Sequence, residues 1–285
     1  MLTLLFFHPA GSRQPSLDEV AGALTGTPGI TWEGQPGETY RSGRWLDPEG
    51  TGASCLLDLG EPDLEQDSMH PPRAYAGWYP LPLVVNIPLF GPHWFCVEAV
   101  RMVEGILARD SDWRALDVED IIREPGAEPG PFPLDRLRVT ANWERQRAVR
   151  NEQVTGIPLM NRGVSVSLWR YRRESTRAAQ LHDQHLYPRG LALLEKASGR
   201  ARSAAIWFDA TRLVAIPPVE LLVLPGQPIR VVVAEEAAAA LHAGSAGMAG
   251  ARLLPHLESV GPYLGRAAGR PAAQFAALDD QDWAD

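Results

Sequence analysis

One stretch of the chain, Glu124–Pro133, is too rich in proline and glycine to belong to a regular helix or strand. It carries four prolines among ten residues, and proline lacks the backbone N–H that helix interiors and sheet ladders need. Stretches of this kind connect domains. We therefore expect two folded parts, residues 1–123 and 134–264, joined by a linker over 124–133 and followed by a loose acidic tail over 265–285.

The patterns in the first part follow the order strand, helix, strand, strand, helix, strand. Strands are predicted at Leu2–His8, Ala53–Leu59, Leu81–Ile87 and Ala115–Val118, and helices at Ser16–Leu24 and Pro92–Arg109. Ser16 and Glu19 have capping-box spacing. This order is typical of a ferredoxin-like (split β-α-β) sandwich with an antiparallel sheet. In the second helix, the polar arc that holds Glu98 is expected to face solvent.

The second part is predicted to be a mixed α+β domain that begins with two helices, Leu134–Arg150 and Val166–Leu181. Strands are expected at 191–194, 204–208, 219–224 and 229–233, and further helices at 235–242 and about 251–260. The predicted fold class of the whole chain is therefore α+β.

Charge is sorted by position along the chain. Residues 130–202 carry 14 Lys+Arg against 6 Asp+Glu, whereas residues 1–129 carry 8 against 20. A basic central segment beside an acidic one influences how fast the protein associates with charged molecules and which partners it binds. It does not indicate the fold.

The basic charge is concentrated on two predicted helices. In the first, the apolar stripe Leu134, Leu137, Ala141 and Ala148 is expected to face the core. The opposite arc holds Arg136, Trp143, Arg147 and Arg150. A tryptophan among arginines on a polar face is unusual, because an indole rarely lies in water without a partner surface.

The second of these helices repeats the pattern. Its core side is predicted to hold Leu168, Tyr171, Ala178 and Ala179. The arc opposite holds Arg170, Arg173 and Arg177, with Trp169 at its edge.

Three interpretations of these arginine–tryptophan faces are open. They pack inside the protein with tryptophan stacked on arginine and with carboxylates paired, or they bind a protein partner, since Trp and Arg dominate binding hot spots. Alternatively they bind phosphate or nucleic acid. The last is disfavoured, because no nucleic-acid-binding motif accompanies the arginines and the acidic part lies beside them.

Few residues in the sequence suggest a catalytic or metal-binding site. His182 and His185 are spaced so that both could face one metal ion on a continuing helix, but no third ligand is nominated. Cys96, near His93, falls in an apolar arc that favours an inert thiol, and Asp209 follows an apolar strand, where a turn residue is the ordinary explanation. No phosphate-binding glycine loop, nucleophile elbow or metalloprotease motif is present. No catalytic residue and no cofactor is therefore predicted.

The cysteine content and the N-terminal residues indicate a cellular compartment. Two cysteines are too few for a disulfide framework, which favours a reducing environment. The apolar start, Met1–Phe7, is shorter than a signal peptide or a membrane span. We expect a cytoplasmic protein that has no membrane segment.

From Leu134 onward, the sequence resembles an uncharacterised group of two-part bacterial proteins from toxin–immunity loci, which serve interbacterial antagonism. The resemblance is carried by W-E-R-Q-R-A around Trp143, L-W-R-Y-R-R around Trp169, and W-F-D followed by P-P-V-E at 207–209 and 217–220. It implies an inhibitor that blocks a toxin, and it brings no catalytic residues.

The leading hypothesis is accordingly a non-enzymatic bacterial interaction protein, an immunity protein whose partner is a toxin. Its predicted partner-binding residues are the tryptophans and arginines of the two faces. Alternatives are an adaptor or chaperone that binds a secreted cargo, and a metal-dependent hydrolase that uses His182 and His185. The oligomeric state is open.

Overall fold

The computed structural model describes most of the chain in two compact units. The described residues are 1–33, 39–60, 75–109, 112–118, 131, 133–153, 156–181, 185–207, 213–224, 226, 228–245, 250–253, 260–279 and 283–284. Helices combine with largely antiparallel sheets, so the α+β class is confirmed.

The first unit comprises Met1–Pro48, Gly52–Leu89 and His93–Val154. Its elements in chain order are β1 (Leu2–Pro9), α1 (Leu17–Thr25), β2 (Ile30–Glu33), β3 (Tyr40–Leu46), β4 (Ser54–Gly60), β5 (Trp78–Ile87), α2 (Trp94–Leu107), β6 (Arg114–Asp117) and α3 (Arg136–Gln153). The strands form one antiparallel sheet in the order β2-β3-β4-β5-β1-β6.

Helices cover one face of this sheet. Both α1 and α2 contact β4 and β5, and α3 packs against α2. The capping box predicted at Ser16 is present: the Ser16 hydroxyl accepts from the Glu19 amide and the Glu19 carboxylate accepts from the Ser16 amide. The hairpin β2–β3 was not predicted, because its residues lack a strong alternating apolar pattern.

Glu98 of α2 is buried, so the expectation that its arc faces solvent is wrong at this residue, although Arg109 of the same arc is exposed. The helix α3 packs against α2. Glu98 remains satisfied by an ion pair with Arg101, one helical turn away, at 2.5 Å.

The second unit comprises Glu49–Thr51, Phe90–Pro92 and Thr155–Asp285. Its elements are α4 (Arg162–Leu181), β7 (His185–Leu186), β8 (Gly190–Glu195), β9 (Arg200–Ile206), β10 (Leu213–Ile216), β11 (Leu221–Leu224), β12 (Arg230–Val233), α5 (Ala234–Ala240), β13 (Gly244–Ser245), β14 (Arg252–Leu253), α6 (Val260–Arg266), β15 (Arg270–Pro271), a 3₁₀ turn (Ala272–Gln274) and β16 (Phe275–Leu278).

These strands form two sheets, one ordered β13-β14-β10-β7 and the other β15-β12-β11-β9-β8-β16. Apolar side chains of α5 pack with Ala205, Leu222 and Val232 on one face of the larger sheet. On α4, Leu168 approaches β8 at Gly190, where a Cβ atom would lie 2.2 Å from the leucine Cδ1. Glycine is therefore required at this contact.

Two boundaries differ from those predicted. The helix α3, expected to open the second part, belongs to the first unit; the linker itself lies largely outside the described residues. The segment 265–285, expected to be a loose tail, supplies β15 and β16, which pair with β12 and β8. Its Phe275 and Trp283 are buried, and this apolar burial holds the segment in place.

Candidate functional site

The helix α3 is positioned by its cap and by one buried side. Asp135 precedes it, and the Asp135 Oδ1 accepts hydrogen bonds from the amides of Leu137 at 2.9 Å and Arg138 at 3.2 Å. The buried side holds Val139, Asn142, Trp143, Gln146 and Arg147. Four of these five side chains are polar or amphipathic, so the buried side of α3 is the one that its sequence pattern marks as polar.

Trp143 anchors this side. Its side chain is fully buried at 0% exposure, and its indole Nε1 donates to the carbonyl oxygen of Pro88 at 2.8 Å. The Arg147 guanidinium carbon lies 4.8 Å from the centre of the indole ring, within cation–π range, and Arg147 is 7% exposed. Asn142 Nδ2 donates to the Asp117 carboxylate at 2.5 Å.

The expectation that Trp143 and Arg147 face solvent is therefore wrong. An indole removes roughly 150–250 Å² from water when it is buried, and the N–H of Trp143 finds a partner at Pro88. Val139, Asn142, Gln146 and Arg147 are buried on the same side of the helix. These residues together set the rotation of the helix, and the aliphatic stripe is turned outward.

The outward face of α3 is the side opposite Trp143. Leu137 is 81% exposed and Val149 is 47% exposed. The face consists of these two residues together with Arg138, Ala141, Arg145 and Ala148, all of which are exposed. Sequence reasoning had assigned Leu137, Ala141 and Ala148 to the core and had not singled out Arg138 and Arg145. The signal that could have reversed this assignment was Trp143 itself, because an indole seldom lies in water without a partner surface.

The other predicted residues of α3 lie off this face. Arg136 forms an ion pair with Glu104 of α2 through two of its guanidinium nitrogens, and this pair raises the pKa of Arg136. Arg150 is exposed near the end of the helix. Arg136 thus joins two helices of the first unit, and Arg150 is available at the surface.

On α4, two of the predicted arginines are engaged within the second unit. Arg173 and Arg177 both donate to the Glu49 carboxylate, and the Thr176 hydroxyl donates to the Glu49 carbonyl oxygen at 2.9 Å. Burial raises the pKa of Glu49, but the two guanidinium groups outweigh burial, so its net shift is downward. These contacts hold the Glu49–Thr51 segment on α4.

Trp169 and Arg170 complete the predicted set. Trp169 is half-buried, and the Arg173 guanidinium carbon lies 5.7 Å from its ring centre. Arg170 is exposed. The core prediction for α4 is confirmed at Leu168 and Tyr171, which are fully buried, whereas Ala179 is exposed. Arg172, beside them, is buried and donates to the carbonyl oxygens of Gly190 and Thr51.

An ionic cluster in the second unit centres on Glu195 of β8. Its carboxylate accepts from Arg270, from the Ser198 hydroxyl and from Arg202. Hydrogen bonds from Arg270, then Ser198, then Arg202 lower the pKa of Glu195 to about 2. Arg202 also pairs with Glu220 at 2.7 Å. The cluster links β15, β8 and β9, so it helps to hold the C-terminal segment on the sheet.

The candidate catalytic groups have ordinary structural surroundings where they are described. Cys96 is fully buried, and burial raises the pKa of its thiol. Polar groups near the end of β1 are likewise engaged: the Ser12 hydroxyl donates to the Pro9 carbonyl oxygen at 2.7 Å and lies 2.9 Å from His8 Nδ1. His182 and Asp209 lie outside the described residues.

The described ranges contain no group of three or more His, Cys, Asp or Glu side chains arranged to hold one metal ion. His185 lies in β7, and its predicted partner His182 falls in the gap before that strand. The metal prediction therefore stays a prediction. No helix in the described part of the chain combines the length and apolarity needed to cross a bilayer.

Comparison with known proteins leaves the family open. No protein-family model matches this chain, no curated protein matches it, and no solved structure matches it.

Proposed function

We propose that this protein acts by binding another protein, and that it is an immunity protein that occludes a cognate toxin. One observation supports the proposal above the others: α3 presents its aliphatic stripe to solvent while it buries its tryptophan. Leu137, Ala141 and Ala148 lie along one exposed side of the helix, with Arg138 and Arg145 beside them and the exposed Val149 beyond the arginines.

Isolated exposed leucines are common and need no explanation. The outward face of α3 differs because several apolar positions lie along one helical side and are flanked by arginines. Covering Leu137 alone would contribute about 1.5–3 kcal/mol. Arginine is also enriched at protein interfaces, and Arg138 and Arg145 both lie on this face. This composition favours a protein partner for the face.

The proposed binding surface therefore differs from the one predicted. It consists of the outward face of α3, with the exposed Arg150 near the end of the same helix as a further candidate. Trp143 and Arg147 support it from within, since their burial fixes the rotation of the helix. An occluding inhibitor needs surface complementarity and no reaction chemistry.

Two finer points belong to the same proposal. We infer that the first unit is a ferredoxin-like sandwich enlarged by the hairpin β2–β3; the partial order β4-β5-β1-β6 supports this, with α1 after β1 and α2 after β5. We also infer a cytoplasmic location. The free thiols of Cys55 and Cys96 fit a reducing compartment.

The experiment starts from capture with tagged wild-type protein and with Leu137→Asp in parallel. Each captured protein is then purified, tested for direct binding, and expressed alone and together with this protein. We expect one partner that arrests growth when expressed alone and is neutralised by the wild type but not by Leu137→Asp. A direct partner that is harmless, or whose activity persists in the complex, would contradict the immunity role and favour the adaptor.

A further inference from the structure

The six-stranded sheet of the first unit has a second face, opposite the one that the helices cover. Its side chains alternate along each strand with the buried ones: in β4, Leu57 is fully buried, whereas Leu56 is 45% exposed. We propose that this second face, the open face, binds a second copy of the same chain and makes the protein a homodimer. The open face shares no residue with α3, so this proposal is independent of the proposed function.

The open face is more apolar than a sheet face in water usually is. An antiparallel sheet with one solvated side normally points apolar residues inward and polar residues outward. Here three interior strands carry aliphatic residues at outward positions, Leu5 of β1, Leu56 of β4 and Val84 of β5. On β3, Tyr40 of the same face is 58% exposed. A second surface that removes these side chains from water would stabilise them.

Two charges of opposite sign lie on the open face of neighbouring strands. Ser42 of β3 is directly opposite Asp58 of β4, and Arg44 is directly opposite Leu56. These four residues form a quartet in which Arg44 and Asp58 are the ends of one diagonal, about 7–8 Å apart. Within the described part of the chain, neither Arg44 nor Asp58 forms an ion pair.

The Asp58 carboxylate is held in place by neutral donors. The Tyr40 hydroxyl donates to Oδ1 at 2.6 Å, and Asn86 Nδ2 donates to Oδ2 at 2.9 Å. Its negative charge is therefore positioned but not neutralised, and a fixed carboxylate loses little freedom when it meets a cation. Glu33, the other carboxylate near Arg44, is exposed at the end of the edge strand β2.

A twofold axis along the other diagonal of the quartet, through Ser42 and Leu56, would pair both charges at once. In a twofold interface, residue i of one copy contacts residue j of the other, and j contacts i. Arg44 of each copy would then meet Asp58 of the other, and Leu56 would meet Leu56. The strands of the two sheets would cross steeply, as in orthogonal sheet packing. A second copy carries the complementary charges at the required spacing, which favours it over a different protein.

The test begins with sedimentation velocity of the intact protein over a wide range of concentrations. We expect a monomer–dimer equilibrium. Arg44→Asp leaves only acidic groups on the diagonal and Asp58→Arg leaves only basic ones, so each should weaken self-association about tenfold or more. The matched control, Arg145→Asp, makes the same charge change as Arg44→Asp at an exposed position of α3. It should self-associate as wild type does.

Mixing the two variants makes the test specific to the pairing. In a mixed dimer, the aspartate introduced in one variant faces the arginine introduced in the other, and the two unchanged side chains also pair. Arg44→Asp and Asp58→Arg, each impaired alone, should therefore form a heterodimer about as tight as the wild-type dimer. A fluorescent label on one variant detects it. Two folded variants that form no heterodimer would overturn the proposed pairing.

Two milder changes keep the proposal testable if Asp58→Arg does not fold, which circular dichroism reveals. Asp58→Asn should weaken self-association, whereas the matched control Glu33→Gln should not. Leu56→Cys should be crosslinked to its own copy by a short bis-maleimide, because Cys55 and Cys96 are buried; Leu137→Cys on α3 should not. A wild type that stays monomeric at every concentration, or a dimer that neither Arg44→Asp nor Asp58→Asn weakens, would overturn the proposal.

Discussion

The indole Nε1 of Trp143 lies 2.8 Å from the carbonyl oxygen of Pro88 and donates a hydrogen bond to it inside the first unit. This bond and the surrounding burial set which side of α3 faces inward. Arg147 covers the indole from within the same helix. The consequence is that Leu137, on the opposite side, is left in solvent.

Replacing Trp143 by alanine should destabilise the first unit by about 3–5 kcal/mol, because a fully buried indole leaves a large cavity. Trp143→Phe should cost less, since the ring volume is partly kept while the hydrogen bond to Pro88 is lost. Urea unfolding followed by circular dichroism measures both differences.

The matched control is Leu137→Ala on the outward face, where the leucine is 81% exposed. Its effect on the free energy of unfolding should stay within about 0.5 kcal/mol. If Leu137→Ala were as destabilising as Trp143→Ala, the orientation of α3 described above would be contradicted.

Replacing Phe275 should lower the stability of the second unit far more than replacing a residue in a loose tail would. It packs with Leu193, Leu221 and Val231, so Phe275→Ala should destabilise the second unit by about 3 kcal/mol or more. The control is Ala277→Ser, an exposed position on the same strand. Limited proteolysis and unfolding curves report both. Little change for Phe275→Ala would restore the prediction that residues 265–285 are loosely attached.

Stability should fall in acid through Glu195. Its pKa is lowered from 4.5 to about 2, first by Arg270, then by Ser198 and Arg202. A carboxyl with a lowered pKa in the folded state contributes stability that is fully present above about pH 4.5 and is lost as the pH falls toward about 2. The stability difference between wild type and Glu195→Gln should therefore shrink across that window.

Arg270→Gln, which removes the first of these donors, should reduce the same pH dependence in part. Urea midpoints measured at a series of pH values test both variants. A difference in unfolding free energy between wild type and Glu195→Gln that stays constant with pH would contradict a lowered pKa of Glu195 in the folded protein.

Cys55 and Cys96 should resist thiol reagents in the native protein. Both are buried, and burial raises the pKa of each thiol. Labelling with a chromogenic disulfide should therefore proceed at the rate of unfolding and become rapid in denaturant. Fast labelling of Cys96 under native conditions would indicate an accessible thiolate and would revive a nucleophilic role.

Local patterns predicted the elements well where one signal dominated. The apolar runs at β1 and β5, the capping box at Ser16 and the amphipathic pattern of α2 all lie where the sequence indicated. Periodicity failed where it had to choose between two sides of α3. The pattern favours the side with four small or aliphatic residues, whereas the structure buries the side with Trp143, whose indole N–H has a partner at Pro88.

Contacts between residues far apart in the chain could not be predicted from the sequence either. Nothing near Glu98 in the sequence indicates that α3 would pack against α2, and nothing near Phe275 indicates that β16 would pair with β8. Likewise, the engagement of Arg173 and Arg177 by Glu49 joins residues far apart in the chain. Such pairings depend on tertiary packing, which a single sequence does not display.

The central claim, that the outward face of α3 is a binding surface, is tested most directly by Leu137→Asp. Its unfolding midpoint and its affinity for a purified native partner are measured beside those of wild type. The account predicts an unchanged midpoint and an affinity weakened by about tenfold or more, since a charge replaces an apolar contact. Unchanged affinity in a folded variant would contradict it.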